Sequence, residues 1–200
     1  WDCSGVSGGE DNDPMPPPGV GNGSTWAHGT HVAGLLSANT DNNTGIASAS
    51  FNCSIMCVKV STGEQDYPYI THGYNGILYA SQVGHDAGTY TIINNSWGGG
   101  GFSSSENSTI NTAHNIYGAV VVGAAGNGDE NNGTDEYAAH YPSNYDLENI
   151  VSVAATDRND KLSGFSNYGG TSVDLGAPGS EIFSCTADND QSYDSWQDTS

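Results

Sequence analysis

Ala119-Val120-Val121-Val122-Gly123-Ala124-Ala125-Gly126-Asn127 is the stretch on which the fold turns. Its first five residues are near-continuously apolar, the pattern of a strand covered on both faces within a parallel sheet. Short β-branched runs of the same kind lie at 55–60, 91–95 and 150–155, and helical candidates lie at 70–83 and 105–117. Strands separated by helices of this length imply crossover connections, hence parallel pairing. An earlier helix is predicted over 28–38, where Val32, Leu35 and Leu36 share one face. The run Asn39-Thr40-Asp41-Asn42-Asn43-Thr44-Gly45 ends it, and residues 1–27, with Pro16-Pro17-Pro18, carry no periodicity and read as loop. No repeat or linker divides the chain. The expectation is one α/β domain, a mainly parallel sheet with helices on both faces.

Two hundred residues can bury one core of this size. The 28 glycines and 35% hydrophobic content indicate a loop-rich globular protein. Three basic residues stand against 23 acidic ones, a net charge of −20. That balance excludes nucleic acid as a partner, because phosphates require Lys and Arg, and it excludes anionic membrane surfaces. It suits a protein kept soluble in salt, where charges are screened over about 8 Å or less, or one that binds cations. No run of 18 apolar residues is present to span a membrane. The chain opens at Trp1 and reads as an internal piece of a longer protein, so the absence of a signal peptide says nothing. Cys3, Cys53, Cys57 and Cys185 lack metal-type spacing. Cys53 and Cys57 fall on one face of a predicted strand and do not bridge each other, Cys57 reads as a free buried thiol, and a bridge from Cys3 or Cys185 stays open.

Three residues carry chemistry by type and position. Asn127 leaves a buried strand at the carboxyl edge of the sheet, where open α/β folds place their sites, and its amide can donate to an oxyanion. Taken alone it is equally a turn residue in Gly126-Asn127-Gly128. His28 is read at a helix start, where the dipole disfavours imidazolium and favours a neutral base. His31, three residues on, raises a metal reading that two histidines cannot carry alone. Ser200 in Gln197-Asp198-Thr199-Ser200 is a nucleophile only if a base takes its proton.

In this order the residues resemble the subtilisin-like serine proteases, the subtilases. His28-Gly-Thr-His-Val-Ala-Gly matches the family's histidine motif. Ser96-Trp97-Gly98-Gly99 looks like one wall of the substrate groove, and Ala124-Ala125-Gly126-Asn127 like the opposite wall with the oxyanion asparagine. Tyr141-Pro142 resembles a dipeptide whose peptide bond is usually cis. Ser163-Gly-Phe-Ser-Asn-Tyr-Gly, Asp174-Leu-Gly-Ala-Pro-Gly and Gln197-Asp-Thr-Ser200 resemble further family segments. The resemblance covers essentially the whole chain. It implies a subtilisin-like three-layer sandwich, incomplete at both ends, with residues 1–200 a partial catalytic domain.

It further implies a secreted, monomeric serine endopeptidase that acts on protein or peptide substrates. His28 is then the general base, Ser200 the nucleophile, and Asn127 with the Ser200 backbone N–H the oxyanion hole. Substrate backbone would pair as a strand with Ser96, Trp97 and Gly98 on one side and Ala124, Ala125 and Gly126 on the other. The resemblance also implies a structural calcium ion held by Asn39, Asn42, Thr44 and Ile46, all oxygen donors as a hard cation demands, and a weaker cation site near Ser143 and Tyr145. Asp129, Glu130, Asp135 and Glu136, which follow Asn127, would favour basic side chains in the primary pocket or are simply part of an acidic surface.

Two features depart from the pattern. The family's aspartate motif has no counterpart before His28; Asp2 matches a Trp-Asp that follows it, so the triad aspartate is expected upstream of Trp1 and the isolated piece is expected to be inactive. Asp198 stands where the family has glycine, adding a negative charge beside the nucleophile. The competing reading is a subtilase-fold binding or structural module without catalysis.

Overall fold

The apolar run is a strand, β2 (Val120–Ala124), inside a four-stranded sheet. The structure, a computed structural model, describes residues 1–4, 10–15, 24–61, 69–128 and 139–199, with side chains of the first helix from Trp26 onward. The chain divides into two compact units, Trp1–Gly76 with Phe183–Trp196, and Ile77–Ile182 with Gln197–Ser200.

The second unit contains the sheet. β1 (Ile92–Asn95), β2, β3 (Ile150–Thr156) and β4 (Leu175–Pro178) lie side by side in that order, every pair parallel. Register is fixed by Ile93 opposite Val121, Val121 opposite Ile150, and Val153 opposite Leu175. A one-residue slip would turn Val121 and Ile150 out of the core, so the apolar pattern specifies the register strongly. α3 (Ser104–Asn115) connects β1 to β2 and buries Ile110 and Ala113, while Val121 is fully buried in β2. Its start is legible chemistry: Ser103 is extended and its hydroxyl accepts from the Glu106 N–H at 3.4 Å, with an acid in the first turn. Past its last residue, Asn115, the chain turns away at Gly118, whose φ of 69° suits glycine and whose N–H donates to the His114 carbonyl at 2.8 Å. α2 (Gly73–Asp86) precedes β1 and buries Ile77, Ala80 and Ser81.

The other sheet face is less covered among the described residues. Val122, Val151 and Val153 are half-buried and Leu175 is exposed; with Ala177 and Pro178 they line an open groove of about 360 Å³. No helix lies between β3 and β4, although crossover helices were expected between strands; residues 157–174 make the connection through tight turns. A parallel crossover needs a dozen or more residues, not a helix as such.

The first unit holds α1 (Ser24–Ser37) and a two-stranded sheet of β5 (Ile182–Cys185) and β6 (Tyr193–Trp196). α1 begins four residues earlier than the predicted start, at Ser24, a residue type that favours helix entry. His28 therefore lies in the second turn, not at the dipole's positive end. Ala27, His31 and Gly34 are the buried positions. At Gly34 a Cβ would stand 2.6 Å from Ser184 Oγ and 3.1 Å from Cys185 Sγ, which requires glycine there.

The strand predicted at 55–60 is not formed. That segment makes isolated bridges through Lys59 and Ser61, and Cys53 to Cys57 are exposed. Its β-branched residues have Trp1 to Cys3 as a neighbour, through Lys59 N–H to the Trp1 carbonyl at 2.8 Å and Cys3 N–H to the Lys59 carbonyl at 2.9 Å. All four cysteines are free; Cys57, read as buried, is exposed, and Cys3 is the buried thiol. Burial raises the Cys3 thiol above its usual pKa, so it stays protonated. No helix of the described residues is long and apolar enough to cross a membrane.

Candidate active site

β2 ends at Ala124, and the chain continues through Ala125 and Gly126, both buried, to the exposed Asn127. Gly126 has φ of 100°, a backbone conformation that a side chain would strain, and turns the chain outward. Asn127 is anchored by its bridge to Ser166 and by the Gly128 N–H donating to the Phe165 carbonyl at 2.8 Å. Asn167 fixes the preceding residues: its N–H donates to the Gly126 carbonyl at 2.8 Å and its amide Nδ2 to the Ala125 carbonyl at 2.9 Å. The 163–169 segment thus braces the end of β2.

The Asn127 amide is held at both ends. Its Nδ2 donates to Asp198 Oδ1 at 2.5 Å, and its Oδ1 accepts from Thr199 N–H at 3.1 Å and from the Thr199 hydroxyl at 3.0 Å. The Thr199 hydroxyl in turn accepts from the Gly126 N–H at 3.2 Å. Asp198 Oδ1 also accepts from the Thr199 N–H at 2.7 Å, and the Asp198 N–H donates to the Gly179 carbonyl at 2.9 Å. Gly179 follows β4 and has no room for a Cβ against the Asp198 carbonyl. The sequence reading missed Thr199, Asn167 and the Asp198 contact.

The two expected walls are both in this unit. Ser96 is half-buried and its hydroxyl accepts from Asn94 Nδ2 at 2.6 Å; Trp97 is half-buried and Gly98 exposed. Gly99 exchanges backbone hydrogen bonds with Tyr141 at 3.1 and 3.2 Å, and the Tyr141–Pro142 peptide is cis as expected. The His140 ring fills the space beside both walls: a Cβ on Gly98 would collide with it, and one on Gly126 would stand 2.6 Å from its Cδ2. Burial pushes the His140 imidazole below its usual pKa, opposed by its hydrogen bond to the Ala124 carbonyl and by the charge of Asp198. Its Nδ1 lies 3.3 Å from the Ser143 hydroxyl. His140 carries no sequence signal beyond preceding Tyr141-Pro142.

His28 belongs to the first unit. It is half-buried, and its ring lies parallel to Trp196 with centroids 6.4 Å apart. His31, one turn on, stacks on Trp196 at 4.5 Å, and its Nε2 faces the Asp194 carbonyl at 3.3 Å. That carbonyl only accepts, so Nε2 carries the proton and the buried His31 is structural. The His31 carbonyl accepts from the Ser184 hydroxyl at 2.7 Å, which locks the helix that bears His28. Asp2 is unavailable to orient His28. Its carboxylate is bonded to Lys59 Nζ at 2.7 Å and to Ser4 N–H at 2.6 Å. Burial works to raise the Asp2 pKa, and the hydrogen bonds from Lys59 and Ser4 outweigh it, holding the group below its usual value.

Asn39, Asn42 and Thr44 are exposed and Ile46 half-buried. Positive φ at Asp41 (58°), Asn43 (57°) and Gly45 (67°) coils the chain tightly here, and Asn42 Oδ1 accepts from the Thr44 N–H at 3.0 Å. The donors are neutral oxygens that suit calcium in kind but supply no charge, and among the described residues no group of three His, Cys, Asp or Glu could hold a metal. Near Ser143 and Tyr145 the side-chain oxygens are already engaged: the Ser143 hydroxyl donates to the His140 carbonyl and Tyr145 OH to Glu106. Ser200, Asp129, Glu130, Asp135 and Glu136 lie outside the described residues.

A parallel sheet with a clamped asparagine amide past its carboxyl edge, and a histidine motif on a helix of the other unit, is an α/β architecture. Residues 7–200 match the Subtilase family, and the chain belongs to it. It is 40% identical over 176 residues to thermitase of Thermoactinomyces vulgaris, covering 87% of this chain and 54% of thermitase. It is 35% identical over 164 residues to subtilisin DY of Bacillus licheniformis, covering 81% of this chain and 54% of that protein. Among solved structures, a protease from Pseudoalteromonas arctica superimposes with a TM-score of 0.70 at 32% identity, over 88% of this chain and 54% of that one. The S41 psychrophilic protease gives a TM-score of 0.71 at 26% identity, over 86% and 58%. The chain thus spans about half the length of the curated relatives it matches.

Proposed function

We propose that these residues carry the base, the nucleophile and the oxyanion donor of a secreted serine endopeptidase. Ser200 Oγ attacks the scissile carbonyl while His28 takes its proton; the tetrahedral oxyanion is held by Asn127 and the Ser200 N–H. His28 returns the proton to the leaving amine, and water hydrolyses the acyl-enzyme by the same route. The observation that carries the reading is the clamp on Asn127. Thr199, whose hydroxyl and N–H both bond its amide oxygen, immediately precedes Ser200 in sequence. An aspartate outside residues 1–200 orients His28 on this reading, and residues 1–200 alone are inactive as part of a larger catalytic domain.

Substrate is read as an extended strand of protein or peptide along Ser96, Trp97 and Gly98 and along Ala124, Ala125 and Gly126. The acidic residues after Asn127 favour basic side chains. Asn39, Asn42, Thr44 and Ile46 would hold a calcium ion through neutral oxygens and so fix the loop after α1, and chelation should then lower the melting temperature of the whole protein. The names of two relatives, an extracellular basic protease of Dichelobacter nodosus and an extracellular protease of Xanthomonas campestris, support a secreted site of action.

The test is hydrolysis of an unbiased peptide library by the whole protein, with Ser200→Ala as control. Cleavage that the variant loses supports the endopeptidase; a folded wild type that cleaves nothing contradicts it. One observation favours the alternative of a module without catalysis, namely the carboxylate of Asp198 on the amide that the oxyanion needs. The same assay decides between them.

A further inference from the structure

We propose that Asp198 is a positioning residue that restrains the reaction: its carboxylate holds the Asn127 amide in the unreactive partnership, and a neutral residue there gives a faster enzyme. The inference rests on the reading of Asn127 as the oxyanion donor.

The amide orientation is fixed by chemistry. A carboxylate only accepts, so the atom 2.5 Å from Asp198 Oδ1 is Nδ2; the Thr199 N–H and hydroxyl need an acceptor, so the other atom is Oδ1. One of the two amide hydrogens of Asn127 is therefore spent on Asp198. The bond is charge-assisted, the stronger class of hydrogen bond.

The carboxylate is itself held. Its Oδ1 takes a second bond from the Thr199 N–H at 2.7 Å, the Asp198 backbone N–H is tied to the Gly179 carbonyl at 2.9 Å, and Gly179 lies against Asp198 and Ala155 with no room for a Cβ. An oxyanion forming at the other hydrogen of Nδ2 would face a negative charge already bonded to the same nitrogen. That charge opposes the developing charge of the transition state but leaves a neutral substrate carbonyl nearly unaffected, so the effect belongs in kcat and not in KM. His140 is the titratable group whose charge couples to Asp198, and in its neutral form it does not offset the carboxylate.

The experiment compares the whole protein with Asp198→Asn, which keeps the shape and removes the charge, and with Asp198→Gly, which removes the side chain. Peptide hydrolysis and the affinity for a peptide boronic acid, which forms a tetrahedral adduct on the serine, are measured together. The expected result is a rise in kcat of about tenfold in both variants, little change in KM, and boronate affinity increased by the same factor. Turnover that depends on Ser200 with kcat unchanged or lower in both variants overturns the restraint and leaves the endopeptidase reading standing. Absence of Ser200-dependent turnover in wild type and variants alike overturns that reading, and the restraint with it.

Discussion

The unit that carries His28 and the unit that carries Asn127 are held by different forces. In the first unit the ties are polar and aromatic: the buried Asp2–Lys59 pair, and around α1 the Ser184 hydroxyl on the His31 carbonyl and His31 stacked on Trp196. Around Asn127 the frame is a parallel ladder backed by fully buried Ile110 and Val121, with side-chain amides bracing the end of one strand. Directional contacts fail singly and steeply when one partner goes. An apolar core loses stability by degrees, and its register survives.

The largest effect separating the two is expected from Asp2→Asn. It leaves Lys59, with 8% of its side chain exposed, without its counter-charge, and should cost about 3–5 kcal/mol, read by denaturant unfolding and by lost hydrogen-exchange protection of the Cys3 and Lys59 amides. The pH dependence has a defined sign. Because the folded pKa of Asp2 is depressed, its contribution is complete above the unfolded carboxylate value near ~3.9 and is lost as pH falls through the folded value.

In the sheet unit, Ile110→Ala should cost roughly 2–5 kcal/mol with the strand register retained, which protection of the β2 amides would report. On the proposed reading Asn127→Ala removes an oxyanion donor and should lower kcat by about 10²–10³, while the lost bonds to Asp198 and Thr199 lower the melting temperature modestly. Gly34→Ala should destabilise α1 by about 1–3 kcal/mol, through the clash with Ser184 and Cys185.

The smallest effect is expected at His140, whose pKa is lowered in the fold. Stability is unaffected above the unfolded histidine value near ~6.5 and falls below it, because the unfolded chain takes up the proton first; His140→Gln should flatten the acid side of the melting-temperature profile.

The same contrast separates what sequence reveals from what it hides. β1, β2, β3, α2 and α3 are written in apolar runs and helical period, and the Ser103-x-x-Glu106 start of α3 is written in cap chemistry. β4, β5 and β6 are not legible in the sequence, because Leu175-Gly-Ala-Pro178, Ile182-Phe-Ser-Cys185 and Tyr193-Asp-Ser-Trp196 are four residues each, largely unburied and without sustained alternation or a continuous apolar run. The run at 55–60 has the composition of a strand, but residues 55–57 lie exposed and its pairing with Trp1 to Cys3 is an isolated bridge, since strand composition counts only where a face is packed. At the proposed site, the motifs of His28, Asn127 and Ser200 single these residues out in the sequence, and the structure describes the first two. The bond between Asn127 and Asp198 joins residues 71 apart, and the packing of His140 against Gly98 and Gly126 joins residues with no shared pattern; only tertiary structure brings them together.

The central claim is that Ser200 is a nucleophile activated by His28. It is tested most directly by treating the folded whole protein with a phosphonofluoridate and locating the adduct by mass spectrometry. The account predicts one adduct per molecule, on Ser200, formed far more slowly in His28→Ala. A folded protein that remains unlabelled at Ser200, or is labelled equally well without His28, would contradict it.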